Sequence, residues 1–437
     1  MDEHPKPYPA LPNHPLRAQI VSELHARPFD SIESPIRATH LAMHGGDANL
    51  ERAHVAALCQ RYGLPGPISE ATYLSEDLGP YRVRWERHTE FSTYTFFVPG
   101  APADQSRPFA DPALQRLPAD WLEGLPGKLV AATHLTLCAD AERERQIPTI
   151  TAVFGHDNVA GSLVADGLAG VYTDFRQQPD GHTLLLIDDH GLAPRRAGRL
   201  VQRLLEIETY RLMALLALPL ARAATLRLTE LDTQLESITQ EMTERGGLED
   251  EQRLLDQISD LSAGLERTVA ANSFRLSAAR AYHALVNRRI DNLREERLPE
   301  LQTIGEFLER RFSPAMRTCE SVNNRQEALS RRVSRAANLL RTRVDVALEA
   351  QNRDLLASMN RRTDLQLRLQ QTVEGLSVVV LSYYGSGLLA YLYKGAHAAG
   401  APINVDLAMG LSIPVVVLSV WLGIRIMRRR LLRRDSH

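Results

Sequence analysis

Eleven of the chain's fourteen histidines fall before residue 191, so the N-terminal half is the first place to look for chemistry. His40 and His44 are four apart, a metal-ligand spacing when it lies on a helix. Here the pair belongs to Ile36-Arg-Ala-Thr-His-Leu-Ala-Met43 and the residue after it, a stretch with strand character and no following glutamate. Strand periodicity still puts both on one face, and the ordinary reading is core or edge histidines. His25 and Arg27, just before Pro28, form with His40 a candidate polar cluster. In it Arg27 either pairs with an acid and fixes the N-terminal segment or touches a ligand. Asp188-Asp189-His190 follows an apolar run. That is a common place for catalytic or metal-binding carboxylates, and equally for a turn that opens a helical region.

Nothing stronger stands beside these. Gly155, Gly161, Gly167 and Gly170 lack the spacing of a phosphate loop or a dinucleotide fingerprint, and no Gly-x-Ser-x-Gly, Walker or kinase motif occurs. Cys59, Cys138 and Cys319 are far apart with no Cys-x-x-Cys pair. That is neither a disulfide framework nor a zinc site, and it suits a reducing cytoplasm. The expectation is a protein that is not an enzyme and has no catalytic residue, metal or cofactor.

The elements that would position these groups change character along the chain. Strands are predicted at Ile36–Met43, Tyr81–Arg87, Ser92–Val98, Leu129–Cys138, Leu168–Phe175 and Thr183–Ile187, with a capped helix from Asp47 to Arg61 and another around Trp121. Alternation in the second strand puts Tyr81, Val83 and Trp85 on one face. Strands joined this tightly leave no room for crossover helices, which argues for an α+β domain with a largely antiparallel or mixed sheet. From about Arg195 the pattern is helical, kinked or ended near Pro219. It continues to about Ala263 and again from Glu266 to Leu298, with turn signals at Gly246-Gly247 and Pro299. Residues 323–374 contain no Gly or Pro; Val333, Val344 and Leu355 recur every eleven residues, as do Ala337, Leu348 and Met359. That period fits a nearly straight or slightly right-handed bundle, packed on earlier helices or on other copies of the chain.

The longest uncharged run begins at Gly375 and ends at Tyr393, and a second runs from Leu407 to Met427, interrupted only by Arg425. At about 1.5 Å per residue the first spans roughly 28 Å, close to the hydrocarbon thickness of a bilayer. Two such spans joined by a short polar connection read as a transmembrane hairpin. Arg425, Arg428, Arg429, Arg430, Arg433 and Arg434 crowd the C-terminal end, while the connection holds only Lys394. Positive residues stay on the cytoplasmic side, so both long flanks are expected inside. Ser382, Gly385, Ser386 and Gly387 make one face of the first span small, which suits close helix packing. Tyr383 and Tyr384 lie near mid-span, where each hydroxyl needs a partner in protein or along a polar path. A net charge of −2 gives no general attraction to nucleic acid. The N-terminus shows neither an apolar core nor a cleavage site, so no signal peptide is expected.

Several stretches together resemble an uncharacterised bacterial family of predicted membrane-anchored proteins. They are Glu23-Leu-His-Ala-Arg-Pro28, Ile36-Arg-Ala-Thr-His-Leu41, Gly198-Arg-Leu-Val-Gln-Arg-Leu-Leu-Glu-Ile-Glu-Thr-Tyr-Arg211 with the apolar run to Pro219, and Glu374-Gly-Leu-Ser-Val-Val379 with the tyrosine pair. The overall plan also resembles CorA-type magnesium transporters: a cytoplasmic domain, a long helix into the first of two spans, a short outer loop and a basic end. Their Gly-Met-Asn triplet is missing. Tyr384-Gly385-Ser386-Gly387 lies too deep in the span, and Lys394 at the outer end would repel a cation.

The expected organisation is therefore an α+β cytoplasmic domain over 1–194, a long helical bundle or coiled-coil stalk over 195–374, a two-helix C-terminal transmembrane hairpin over 375–427 (375–393 and 407–427), and a basic cytoplasmic tail over 428–437. The expected role is a self-associating, membrane-anchored scaffold or sensor in the bacterial inner membrane, whose partners are the lipid bilayer and further copies of itself. The alternatives are a divergent CorA-like channel with its pore lined by the first span, and a tethered hydrolase using Asp188, Asp189 and His190.

Overall fold

A computed structural model describes residues 12–17, 21, 29–139, 147–244, 246–400, 402 and 404–432. Its strands are β1 (Ile36–His44), β2 (Tyr73–Asp77), β3 (Arg82–Arg87), β4 (Phe91–Pro99), β5 (Lys128–Ala139), β6 (Ala160–Val164), β7 (Ala169–Thr173), β8 (Thr183–Asp189) and β9 (Glu296–Arg297). They form one mixed sheet in the order β2-β3-β4-β1-β5-β8-β7-β6-β9. Every pairing between these strands is antiparallel except β5 with β8, which is parallel and joins the two halves of the sheet.

Helices α1 (Ala48–Arg61), α2 (Ala119–Glu123) and α3 (Ile147–Phe154) share one face of the sheet. Asp47 caps α1 by accepting from the Asn49 and Leu50 amides at 2.8 and 3.1 Å. Tyr81, Val83 and Trp85 sit fully buried in one apolar cluster with Leu58 of α1 and Trp121 of α2, as the alternation of β3 requires. A second cluster gathers Ile150 and Phe154 of α3 with Tyr172 and Leu186. Thr39, His134 and Thr136, all buried, belong to neither cluster.

The opposite face is covered by α4 (Pro194–Leu215), whose Leu200, Val201, Leu204 and Leu205 are buried. Pro194 presets the first turn. Gly198 lies so close to the backbone of residue 30 that a Cβ there would stand 1.8 Å from the Asp30 carbonyl oxygen. The helix ends before Leu216, and α5 (Ala217–Glu244) restarts with Pro219 in its first turn, where no helical hydrogen bond is lost.

Next come α6 (Leu248–Asp291), α7 (Ile304–Arg311), α8 (Ser313–Ala398) and α9 (Val405–Leu432). Two expectations change here. The helical pattern does not break between Ala263 and Glu266: α6 runs straight through, and Gly264 lies 3.6 Å (from its Cβ position) from Leu231 of α5, so the glycine serves a close helix crossing. Nor does helix reach Leu298, because Glu296 and Arg297 leave it to pair with β6. The sheet thus draws on residues well beyond 194.

The chain divides into two compact units, Met1–Glu241 with Gln257–Ala336, and Met242–Asp256 with Ala337–His437. In the first, Leu228, Leu231 and Leu235 of α5 and Ile258, Leu261 and Leu265 of α6 are buried, and Asp232 pairs with Arg325 and Arg332 of α8. In the second, the apolar repeat loses its cover. Val344 is buried, but Leu355 and Met359 are more than half exposed.

Candidate functional site

Three polar sites stand out in the sheet unit. The first lies between the sheet and α4, where β1, β3 and β4 turn polar side chains inward. His40 bridges Thr95 (Nδ1 to Oγ1, 2.8 Å) and Thr209 of α4 (Nε2 to Oγ1, 3.0 Å). Arg84, buried, is held by Glu86, by Asp30 at 3.1 Å and by Gln202 at 3.0 Å. Burial, with the Arg84 charge second, pushes the pKa of His40 down to about 3, so the imidazole is neutral at pH 7. The open space left here is only about 30 Å³, room for a water and not for a ligand. This is a satisfied polar core.

The second is a true cavity of about 530 Å³, within the size range of small-molecule sites. Arg176, Arg211 and Arg311 line it together with Phe175 and Phe307. Buried Asp174 meets His156 at 3.0 Å, and Glu208 holds Arg211 through both carboxylate oxygens. Phe175 has φ +52°, an unusual backbone for a bulky residue, and leans on Phe307. Three guanidinium groups beside two aromatic rings suit a small anionic, planar molecule.

The third is where the β7–β8 hairpin folds onto β5. His134 and His182 stack with ring centres 3.9 Å apart and planes 11° from parallel. Asp180 reaches both, with Oδ2 3.4 Å from His134 Nε2 and Oδ1 3.7 Å from His182 Nδ1. Burial first, and then the charge His182 can carry, lower the pKa of His134 to about 4.

Residues 12–431 match one family model. The chain belongs to the family described as protein of unknown function (DUF3422). No curated protein and no solved structure matches it. The DUF3422 match runs from before β1 to the last turn of α9, so the sheet and the apolar helices fall within one family unit.

The sequence-derived candidates in this DUF3422 chain scatter. His25 and Arg27 lie outside the described residues. His40 occupies the polar core, and His44 lies 3.7 Å from Glu90 at the end of β1. Asp189 accepts from the Gly191 and Leu192 amides, a turn that leads into α4, and His190 contacts the Gly167 carbonyl. Ser382 is buried, and Ser386 donates to its carbonyl at 2.7 Å. A Cβ on Gly385 would stand 3.0 Å from Val416 of α9, so the small face is where α8 and α9 approach. Tyr383 and Tyr384 are exposed. Arg425 covers the Trp421 ring at 4.8 Å; Arg428, Arg429 and Arg430 continue α9, and Arg433 and Arg434 lie outside the described residues. Sequence reasoning missed Arg176, Arg211 and Arg311, and also His134, Asp180 and His182. The arginines are distant in sequence, and His134 reads as an inward strand residue; only the short spacing Asp180-Gly-His182 gave a local signal.

Proposed function

We propose that this DUF3422 chain is a membrane-anchored sensor or scaffold, held by α8 and α9 and presenting its sheet domain in the cytoplasm. One observation carries the reading: none of the most apolar stretch of α9, and only 6% of that of α8, is buried within the protein. Among the described residues three helical stretches are long and apolar enough to cross a bilayer, but the first, Pro194–Glu244, already buries part of its apolar length and begins with α4, whose leucines lie against the sheet. Leu388, Tyr391, Leu411 and Leu418 face outward at more than half exposure. A row of this kind facing water is a large apolar patch, whereas lipid covers it without cost. The close Gly385–Val416 approach supports a packed pair of spans, and the arginines after Trp421 support a cytoplasmic C-terminus. The arginine-lined cavity supports a sensory role, with a small anion as its ligand.

A groove of about 870 Å³ between α8 and α9, with Ser382, Tyr383, Tyr384 and Ser386 along it, favours a second reading, the divergent CorA-like channel. The anchor reading is tested on the full chain expressed in bacteria. We expect it to stay with membranes after alkaline carbonate washing, and a cysteine at Ala398 to label with an impermeant maleimide from outside, while one at Ser358 does not. Release into the supernatant, or labelling at Ser358 alone, would refute the proposed topology.

A further inference from the structure

We propose that His134, Asp180 and His182 bind a divalent transition-metal ion, of the zinc or cobalt kind, on the face of the sheet shared with α1–α3. One candidate ligand atom from each residue lies within 4.8 Å of the other two. Ligand atoms of a tetrahedral site, with metal–nitrogen distances of about 2.0 Å, are roughly 3.3 Å apart, and an ion lies in the plane of each imidazole that holds it, so binding draws the three atoms together and turns one ring out of the near-parallel stack. Asp180 Oδ2 and His134 Nε2, at 3.4 Å, already have that separation.

The second observation is how the rings are held. His182 Nδ1 lies 3.1 Å from the backbone carbonyl of Asp180, which can only accept, so the ring proton belongs on Nδ1. His182 Nε2 then carries a lone pair. It is buried and has no hydrogen-bond partner, on a residue that is 8% exposed. His134 Nδ1 is engaged at 2.9 Å by the Thr39 hydroxyl, which also accepts from the Leu114 amide at 3.2 Å. Fixing Nδ1 on a carbonyl or hydroxyl, with Nε2 left without a partner in His182 and turned to the Asp180 carboxylate in His134, is how proteins orient imidazole toward a metal. Two stacked histidines with only a packing role would leave that buried nitrogen unsatisfied.

The rest of the site suits an ion that exchanges with solvent. Asp180 stands at the tip of the hairpin with its side chain 56% exposed, so the carboxylate side is open to water. The hairpin is closed beneath it by Gln178 and His182, whose backbone amide and carbonyl meet at 2.8 Å, and by Gly181 at φ +89°. Two imidazoles and one carboxylate favour zinc, cobalt or a related first-row ion over magnesium or calcium, which take oxygen ligands. The site lies wholly within the sheet unit, so it stands or falls separately from the membrane reading.

The test uses the full chain in lipid nanodiscs, stripped with chelator and titrated with Co²⁺ while visible absorption is followed. We expect one Co²⁺ per chain, displaced by Zn²⁺ and not by Mg²⁺. Asp180→Asn and His182→Gln should each weaken Co²⁺ binding about tenfold or more. Asp180 is exposed, so its variant should keep the wild-type unfolding midpoint and reads on its own if His182→Gln fails to fold. Absence of stoichiometric Co²⁺ binding overturns the proposal, and so does binding that Asp180→Asn leaves unchanged.

Discussion

At the residue scale His40 shows how burial converts a titratable group into a pH sensor of stability. Its folded pKa of about 3 lies below the ordinary 6.5 because of burial first and the Arg84 charge second. Between those two values the unfolded chain holds a proton that the folded chain does not, so stability falls as pH drops from 6.5 toward 3. From pH 7 to pH 5 the expected loss is about 2 kcal/mol. His40→Gln keeps a partner for Thr95 and Thr209 without the titration, and should lessen the fall in unfolding temperature over that range, leaving the share that comes from His134. A variant that loses stability as steeply as the parent would place the sensitive group elsewhere. His40 was visible in the sequence as a member of a polar cluster, but its partners were not. Thr95 and Thr209 come from β4 and α4, and no local pattern predicts that both reach one imidazole.

At the scale of elements, α4 is the piece that closes the sheet domain, and Gly198 is what lets it sit. The chain at residues 30–32 crosses the start of the helix, with the Ile32 amide donating to the Pro194 carbonyl at 3.0 Å. Gly198→Ala would drive a methyl group into the Asp30 carbonyl. We expect a loss of about 1–3 kcal/mol, the usual cost of overpacking, read as a lower thermal midpoint. An unchanged midpoint would mean that residues 29–32 do not hold this path. The amphipathic run of α4 and the alternation of β3 were plain in sequence because each buries one face. β2, β6 and β9 were not. β9 is two residues long, β6 carries a glycine and a serine among five residues, and β2 pairs at an edge. Each is a strand only because a neighbour supplies its hydrogen bonds. Helix α3 was missed for the opposite reason: Ile-Pro-Thr-Ile-Thr-Ala-Val-Phe is rich in β-branched residues, yet it is helical and packs Ile150 and Phe154 into the second core.

For the whole molecule, the apolar surface left along α8 bears on how many chains assemble. Leu355, Met359 and Leu365 expose apolar surface along α8, which a second copy would cover. Single-particle mass measurement of the full chain in nanodiscs should therefore give a dimer. A monomer would remove self-association, and a closed ring of five or so would shift the balance to the channel reading.

A mixed α+β domain first, long helices after it and two apolar runs near the C-terminus are all legible from the residues in order. Those features are local: composition, period and run length set them without reference to distant residues. The parallel pairing of β5 with β8, which brings His134 beside His182, and the gathering of Arg176, Arg211 and Arg311 around one cavity arise from the packed domain alone. A site assembled from distant segments depends on strand order and helix docking, and those follow from how buried faces match across the whole domain.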